Sequence, residues 1–312
     1  MAVSLGDDLW EGATSLAGVV SEPVSPPVPP VVATMVVHQP GDWFVDSLKG
    51  LADQDYPGLQ FLFVLSGAAG DPEGQSARDA IETHIPGAVV RHTGGNAGFA
   101  ASCNAVLNLV EGDSGLFLFL HDDVALMPGA VTALVEEMQR SNAGVVGPKL
   151  VHWDDPRMIQ SVGTAVDRLG VPMPLADDGE IDQEQHDFVQ DVFVLSSACL
   201  LVRADLFRSV GGFDAGVASA GTDLDFCWRV HLTGARVVIV PSAVARHRES
   251  MIERSDEDEI VLAAEKDSAR LLTVMSLTAR TKLPALVAEA FLVTVAHSIV
   301  LLVTGSPRRA ID

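Results

Sequence analysis

Residues 117–123 constrain the fold of this chain most strongly. They read Phe-Leu-Phe-Leu-His-Asp-Asp, an apolar run that ends in two adjacent carboxylates. Such a run predicts a buried strand of a parallel sheet. Open α/β sheets bind their ligands just beyond the carboxyl ends of such strands. The sequence therefore predicts an α/β fold in which Asp122 and Asp123 hold a metal or a substrate.

A second group of candidate residues lies in the last third of the chain. Asp223 and Asp225 open a helical pattern, and His247 follows after a short apolar run. Two acidic sites and a histidine are typical of metal-assisted chemistry.

The charge of the chain bears on its ligands. Its 312 residues carry a formal net charge of -22, and its 20 Lys and Arg residues are spread along the sequence. This argues against nucleic-acid binding, because phosphate backbones are held by clusters of Lys and Arg. A nucleotide ligand would require a divalent cation that bridges protein carboxylates to its diphosphate.

Cysteine usage and the first residues indicate the compartment. Cys103, Cys199 and Cys227 are odd in number and far apart, which predicts buried thiols rather than disulfides or zinc ligands. Such usage fits a reducing cytoplasm. The first twenty residues contain no Lys or Arg, so the charged start of a signal peptide is missing.

Three segments are predicted. Residues 1–30 form an extension that ends in a linker, since 21–30 contain five prolines. Residues 31–250 alternate strand-like and helical patterns, which predicts a mostly parallel sheet with helices on both faces. The predicted strands are 31–38, 59–65, 88–92, 116–120, 145–151, 160–167, 191–203 and 236–240. The predicted helices are 42–53, 76–84, 98–110, 130–140 and 224–233.

Residues 251–312 are predicted to contribute C-terminal helices. The apolar spacing of 260–277 is that of an amphipathic helix. Residues 283–305 are interrupted only by five polar residues: Glu289, Thr294, His297, Ser298 and Thr304. At about 100° per residue, one stripe along a helix would contain Lys282, Glu289, His297 and Thr304. Such a helix suits the membrane interface, or a span packed against other helices. The alternative is a core helix that docks on the main domain.

Seven short motifs occur between residues 31 and 249. They are Asp55-Tyr56-Pro57, residues 94–100 with Asn104, His121-Asp122-Asp123, Gly147-Pro148-Lys149-Leu150, Gly211-Gly212-Phe213-Asp214, residues 223–229, and His247. Each is weak alone, but in this order they resemble the inverting family 2 glycosyltransferases with the A-type nucleotide-sugar fold. The likeness is greatest to large membrane-associated actinobacterial members. The resemblance makes 31–250 the catalytic domain.

The resemblance implies a metal and donor site. Asp123 takes the position that binds a divalent ion, and His247 the position that completes the metal shell in several members. Oxygen and imidazole ligands suit manganese, or magnesium with added waters. Asp122 and His121 belong to the donor site, where His121 replaces an Asp that contacts the ribose. A solvated turn that caps the next helix explains the two carboxylates without a ligand.

The resemblance also implies a catalytic base. Asp223 aligns with the carboxylate that takes the proton from the acceptor hydroxyl. The family pattern is Glu-Asp, whereas Thr222 precedes Asp223 here. Taken in isolation, the pair is better explained by an ordinary helix cap, with Thr222 at the cap and Asp223 in the first turn. Asp225, Trp228 and Arg229 are assigned to the acceptor side, where they pack or bind.

The donor-binding segment departs from the family at one position. Ser66 stands near the end of the second strand, where the family usually has an Asp that reads the base. Asn96, Gly98 and Asn104 align with the glycine-rich segment near the donor. A glycine turn and a helix cap explain these three almost as well.

The resemblance implies inverting, metal-dependent transfer from a nucleotide-diphosphate sugar to a lipid-linked or cell-envelope glycan at the cytoplasmic face of the membrane. The alternative is a non-catalytic domain of this fold that binds glycan or anchors a membrane assembly. The altered positions Ser66, His121 and Thr222 motivate that alternative. A nucleotidyltransferase is disfavoured, because residues 31–40 contain no glycine-rich, basic phosphate loop.

Overall fold

The computed structural model describes residues 28–66, 72–250 and 259–303. The predicted N-terminal extension and most of the linker 21–30 therefore lie outside the described residues, as does Thr304. The structure confirms an α/β fold with a large central sheet and C-terminal helices.

Within the described residues, the central sheet has eleven strands. They are β1 (Val31–Val37), β2 (Leu59–Leu65), β3 (Val89–His92), β4 (Leu116–His121), β5 (Val124–Leu126), β6 (Val145–His152), β7 (Met158–Ser161), β10 (Glu180–Ile181), β11 (Gln190–Asp191), β12 (Cys199–Arg203) and β13 (Val237–His247). A separate pair is formed by β8 (Thr164–Val166) and β9 (Pro172–Pro174). Strands β3, β2, β1 and β4 run parallel, and β12 lies antiparallel between β4 and β6. Strand β13 is parallel to β6 and pairs with β5.

Helices cover both faces of this sheet. They are α1 (Phe44–Ala52), α2 (Pro72–His84), α3 (Phe99–Cys103), α4 (Val106–Leu109), α5 (Ala130–Ser141), α6 (Ala204–Ser209), α7 (Thr222–Leu232), α8 (Glu259–Leu277) and α9 (Leu283–Val303). Alternate side chains of β4 enter different cores: Leu118 and Leu120 pack with α1 and α5, and Phe117 and Phe119 pack with α6 and α7. This two-residue alternation explains why the whole strand is apolar.

Three predicted elements are broken in the structure. The strand predicted at 160–167 divides at Gly163, whose φ of +91° is incompatible with a continuous strand. The strand predicted at 191–203 consists of β11 and β12 with a non-strand segment between them, where Ser197 bonds to α7. The helix predicted at 98–110 divides into α3 and α4 around Asn104, whose side chain bonds to a distant loop. In each case a tertiary contact or a glycine overrides the local pattern.

The cysteine prediction is confirmed, because Cys103, Cys199 and Cys227 are buried free thiols. Burial raises the pKa of all three thiols above the ordinary value. They pack as small apolar side chains, consistent with the sequence interpretation.

The two C-terminal helices differ in how they contact the domain. Helix α8 approaches closely, since a Cβ added at Gly221 would lie 2.6 Å from that of Ala269. On α9, none of the side chains that the structure describes is buried, and Phe291 is 68% exposed. Over its described part, the helix predicted at 283–305 therefore contributes no buried side chain to the core, although Glu289 lies 3.2 Å from Arg168 of the main domain. None of the helices within residues 28–66, 72–250 and 259–303 is both long enough and apolar enough to cross a membrane.

Candidate active site

The candidate site lies at the carboxyl ends of the parallel strands β1 and β4. Strand β4 ends at His121, directly before Asp122 and Asp123. The backbone N–H of His121 donates to the carbonyl of Ala198 at 3.0 Å, just before β12 begins. Because β12 runs antiparallel to β4, its first residues meet the last residues of β4. This edge of the sheet is where open α/β folds bind ligands.

His121, Asp123 and His247 form one cluster at this edge. Asp123 Oδ1 lies 3.6 Å from His247 Nε2 and 3.8 Å from His121 Nδ1. The nearest potential ligand atoms of the three residues all lie within 4.8 Å of one another. Pairing of His247 with Val124, the residue after Asp123, explains how distant parts of the sequence meet here. The structure thus brings the two predicted metal ligands together and adds His121, which the sequence interpretation assigned to the donor ribose.

Two neighbouring side chains orient this cluster. Asp123 Oδ2 accepts hydrogen bonds from the Ser250 backbone N–H at 2.8 Å and from its hydroxyl at 2.6 Å. His247 Nδ1 lies 2.8 Å from Gln160 Oε1, an acceptor, so Nδ1 carries the proton in this arrangement. The unprotonated Nε2 then faces Asp123. This is the tautomer that can ligate a metal, and such outer contacts fix the ring of many metal-bound histidines.

The protonation states of the cluster suit a cation. Burial lowers the pKa of His247 to about 4, so its imidazole is neutral near pH 7. For Asp123, burial acts to raise the pKa, but the two histidines and the Ser250 bonds outweigh it and leave the pKa below the ordinary value. One carboxylate and two imidazoles form a mixed oxygen and nitrogen set that fits a divalent transition ion.

Asp122 has a different environment from its neighbour. Its Oδ2 accepts a hydrogen bond at 2.9 Å from the backbone N–H of His38, which follows β1. The Asp122 side chain is buried, and its hydrogen bond to His38 connects the ends of the adjacent strands β1 and β4. The structure gives Asp122 this contact within the sheet edge, whereas the sequence interpretation placed it among donor-binding residues.

Asp223 lies in the first turn of α7 and reaches the same edge. Its Oδ1 accepts a hydrogen bond at 3.1 Å from the backbone N–H of Ser197, adjacent to the Ala198 that bonds to His121. Burial of the carboxylate raises its pKa, although the bonds to Ser197 act in the opposite direction. A carboxylate with a raised pKa is a stronger proton acceptor once ionised.

Ser66 and Asn96 meet at a neighbouring cavity of about 150 Å³. The Ser66 hydroxyl lies 3.4 Å from Asn96 Oδ1, which also accepts from the backbone N–H of Gly98 at 3.0 Å. Gly98 has a φ of +77°, a left-handed conformation that favours glycine. Because His38 also lines the cavity, Asp122 is linked to it through the end of β1.

Asn104 holds a loop in place. Its amide donates to the Phe213 carbonyl at 2.7 Å and accepts from the Phe213 N–H at 2.9 Å. A Cβ added at Gly212 would lie 2.4 Å from the Asn104 amide oxygen, so this close approach requires glycine. The side-chain nitrogen and oxygen of Asn104 thus both bind the Phe213 backbone. The sequence interpretation had placed Asn104 near the donor and did not indicate this contact.

The three residues assigned to the acceptor side divide into two groups. Asp225 is buried and accepts a hydrogen bond from Arg229 Nε at 2.8 Å. Arg229 also donates to the carbonyls of Val210 and Gly212 at 2.8 and 2.7 Å. This pair therefore packs α7 against the loop after α6. Trp228 instead lines an open groove.

The sequence interpretation did not identify Gln160, Ser250 or Ser197. Gln160 is 87 residues from His247, and Ser250 is 127 residues from Asp123. All three are common polar residues outside any motif, and their roles follow from contacts between distant segments. No local pattern could have selected them.

Comparison with known proteins agrees with this architecture. Among curated proteins, the chain is 30% identical over 147 residues to the O-antigen biosynthesis protein RfbC of Myxococcus xanthus, covering 45% of this chain and 11% of that protein. It is 28% identical to an N-acetylglucosaminyl-diphospho-decaprenol L-rhamnosyltransferase of Mycobacterium tuberculosis, covering 71% of this chain and 76% of that protein. The chain thus spans only about a tenth of the length of the first relative.

Solved structures share the fold at low sequence identity. A mannosyltransferase, PcManGT from Pyrobaculum calidifontis in complex with GDP-Man and Mn2+, matches with a TM-score of 0.52 and 16% identity over 91% of this chain and 85% of its own. GalNAc-T7 with UDP, GalNAc and Mn2+ matches with a TM-score of 0.58 and 10% identity, covering 71% of this chain and 43% of its own.

A family model covers much of the same region. The model of glycosyl transferase family 2 matches residues 33–210, more than half of the chain. The match ends before α7, so the roles of Asp223 and His247 depend on the resemblance and on the geometry above. The family resemblance read from the motifs is confirmed, and the chain belongs to glycosyl transferase family 2.

Proposed function

We propose that this protein is an inverting, metal-dependent glycosyltransferase that uses a nucleotide-diphosphate sugar. The observation that supports this most strongly is the meeting of two groups at one sheet edge. A candidate base, Asp223, and a candidate metal cluster, His121 with Asp123 and His247, reach that edge from distant parts of the sequence. Membership of the family supplies the reaction class.

In this proposal His121, Asp123 and His247 hold the divalent cation. Bound there, the cation supplies positive charge beside the donor diphosphate, which the acidic protein would otherwise repel. Ser250 and Gln160 hold the carboxylate and the imidazole in position. Two structural neighbours were solved with Mn2+, which supports manganese, and magnesium remains compatible with the oxygen ligand.

Asp223 is proposed to accept the proton of the acceptor hydroxyl. Inversion requires one such carboxylate, because the hydroxyl attacks the anomeric carbon directly and loses its proton to the base. The bond from Ser197 holds the Asp223 carboxylate toward the sheet edge. Ser66 and Asn96 are proposed to bind the donor nucleotide in the adjoining cavity, with Gly98 allowing the backbone to turn there.

The acceptor is proposed to be a lipid-linked or cell-envelope glycan, met at the cytoplasmic face of the membrane. The named relatives act in O-antigen biosynthesis and on a diphospho-decaprenol acceptor, which supports this class. The exposed apolar side chains of α9, including Phe291 and Ile299, support a membrane location, as in the large membrane-associated members that the chain resembles.

A donor screen tests the proposal directly. Thermal shift and hydrolysis would be measured against a panel of nucleotide-diphosphate sugars, with Mn2+ and with EDTA. We expect one donor class to stabilise the protein and to be hydrolysed slowly in Mn2+ only. If a folded chain hydrolyses or transfers no donor with any divalent ion, the non-catalytic alternative is favoured, as the altered positions Ser66 and Thr222 would then suggest.

Changing Gln160 to Leu is expected to weaken Mn2+ binding about 10–100-fold, the usual effect of losing a partner that orients a metal-bound histidine. The variant frees His247 to adopt the other tautomer. Calorimetric Mn2+ titration measures the effect, with Gln75→Leu as the matched control because the exposed Gln75 side chain donates to Asp79 on α2, at 2.7 Å, outside the cluster. Unchanged Mn2+ affinity in Gln160→Leu would show that the ring needs no such support.

Ending the chain at Leu277 is expected to leave donor binding and the melting temperature nearly unchanged and to abolish flotation with liposomes. The reason is that the described side chains of α9 are not buried, whereas α8 contributes the buried Ala269 and Val274. Circular dichroism and liposome flotation measure the two effects. The membrane proposal would be contradicted if the shortened chain unfolds, or if the full-length chain does not float with liposomes.

A further inference from the structure

Two arginines flank His247 at the end of β13, and each lies over a tryptophan ring. The guanidinium carbon of Arg246 is 4.6 Å from the centroid of the Trp153 ring. That of Arg248 is 4.9 Å from the centroid of the Trp43 ring. Because an indole face attracts a cation, these contacts favour one position for each side chain. Both arginines thus hold a defined position on residues next to a candidate metal ligand.

The backbone of Arg248 is joined to the metal cluster in two ways. Arg248 directly follows His247 in the chain. Its backbone N–H also donates to the Asp123 carbonyl at 3.1 Å. His247 and Asp123 are both proposed metal ligands, so the Arg248 side chain begins beside the cluster. That side chain is half-buried.

The ring beneath Arg248 belongs to the turn that forms one wall of the neighbouring cavity. Trp43 immediately precedes α1, and its ring is buried. A Cβ added at Gly41 would lie 2.3 Å from that ring, so the turn packs directly on it. Three residues at the start of the same turn line the cavity of about 150 Å³: His38, Gln39 and Pro40. The guanidinium of Arg248 therefore contacts the ring that supports this wall.

Arg248 and Asp122 border the interval between the cavity and the metal cluster. Asp122 spans it because its carboxylate accepts from the backbone N–H of His38 and its backbone continues into Asp123. Arg248 spans it from another strand, through its bond to Asp123 and its contact with Trp43. A nucleoside diphosphate with its nucleoside in the cavity and its phosphates at the cluster would lie across this interval. Arg248 places a cation there, although the protein carries a formal net charge of -22.

We infer that Arg248 binds the diphosphate of the donor between the cavity and the metal cluster, an inference that rests on the proposed function and adds a second positive group to it. The guanidinium is planar, stays charged and presents a fork of N–H donors that matches two phosphate oxygens. Its contact with Trp43 restricts the side chain before a ligand arrives, which lowers the conformational entropy lost on binding.

The same contact acts on the leaving group of the proposed reaction. The acceptor oxygen forms a bond to the anomeric carbon while the bond from that carbon to the diphosphate breaks, and the hydroxyl proton passes to Asp223. The electron pair of the broken bond leaves with the diphosphate. Arg248 supplies positive charge where this negative charge develops, so it is expected to lower the barrier as well as to bind the donor.

Calorimetric titration of the full chain with UDP in Mn2+ tests the inference, with TDP in its place if TDP binds the wild type more tightly. We expect Arg248→Gln to weaken binding about tenfold, because a charge-assisted hydrogen bond to phosphate is lost. Binding of the matching nucleoside, followed by NMR titration, should not change, because the nucleoside has no phosphate. Arg248→Lys keeps the charge without the planar fork and should retain part of the affinity. Arg246→Gln is the matched control, because Arg246 stacks on Trp153 instead.

Three outcomes would overturn the inference. They are unchanged diphosphate affinity in Arg248→Gln, an equal loss in Arg246→Gln, and an equal loss of nucleoside binding in Arg248→Gln. The last would give Arg248 a purely structural role in supporting the cavity wall. If Arg248→Gln does not fold, Arg248→Lys decides the question: a larger loss for the diphosphate than for the nucleoside supports the inference, and equal losses contradict it.

Failure of the proposed function would look different. A chain that binds the diphosphate through Arg248 but transfers no sugar would overturn the proposed reaction alone. A transferase whose Arg248→Gln variant binds the diphosphate as tightly as the wild type would overturn only this inference.

Discussion

Replacing Asp223 with Asn is expected to slow sugar transfer about 10²–10⁴-fold while leaving donor binding intact, as removal of a positioned base does. Asn is similar in size and keeps an oxygen that can accept the Ser197 bond, so α7 should remain docked. Steady-state kinetics with the donor found by screening measures the loss. Asp46→Asn is the control, because Asp46 also lies in the first turn of a helix but is exposed.

The same residue predicts the acid side of the pH profile. Asp223 must be ionised to accept a proton, and burial raises its pKa above the ordinary value for Asp. As the pH falls through that raised pKa, the carboxylate is protonated and the rate falls. As the pH is lowered, the wild-type rate should therefore begin to fall at a higher pH than it would if the base were an exposed Asp with an ordinary pKa. Retained turnover in Asp223→Asn would assign the role of base to another group.

Replacing Asp123 with Ala is expected to abolish metal-dependent binding of a nucleoside diphosphate. The variant removes the one carboxylate of the cluster and leaves only the two imidazoles, those of His121 and His247. The loss of affinity should exceed the roughly 10–100-fold expected for Gln160, which contacts a metal-ligand candidate and is not one itself. Titration of UDP or TDP with Mn2+ measures it, and thermal melting monitors the fold because Ser250 loses a buried partner. Equal wild-type binding in EDTA would contradict the metal role.

Much of the central sheet could be predicted from local sequence. The strand at Leu59–Leu65 was predicted with its observed ends, and the strand at Leu116–His121 with one residue missing. Residues 116–120 form a continuous apolar run because both faces of that strand are buried, and the other strand is apolar apart from Gln60 and is buried from Leu62 onward. The strands predicted at 160–167 and 191–203 were wrong in extent, since Gly163 and the bond between Ser197 and Asp223 decide where the chain leaves the sheet.

The candidate site was only partly predictable. Asp123 and His247 could be proposed from motif order, and their proximity follows from the pairing of β13 with β5. The hydrogen bonds of Gln160 and Ser250 to these residues join segments that no sequence spacing relates. For Asn104, motif order suggested a donor contact, but in the structure its side-chain amide forms hydrogen bonds with the Phe213 backbone.

Real-time proton NMR of the reaction tests the central claim most directly. The full chain would be mixed with the donor identified by screening, in Mn2+ and in EDTA, and the anomeric signal of the first product followed. The account predicts a first product whose anomeric configuration is opposite to that of the donor, formed in Mn2+ and absent in EDTA. A product with retained configuration, or an equal rate in EDTA, would contradict it.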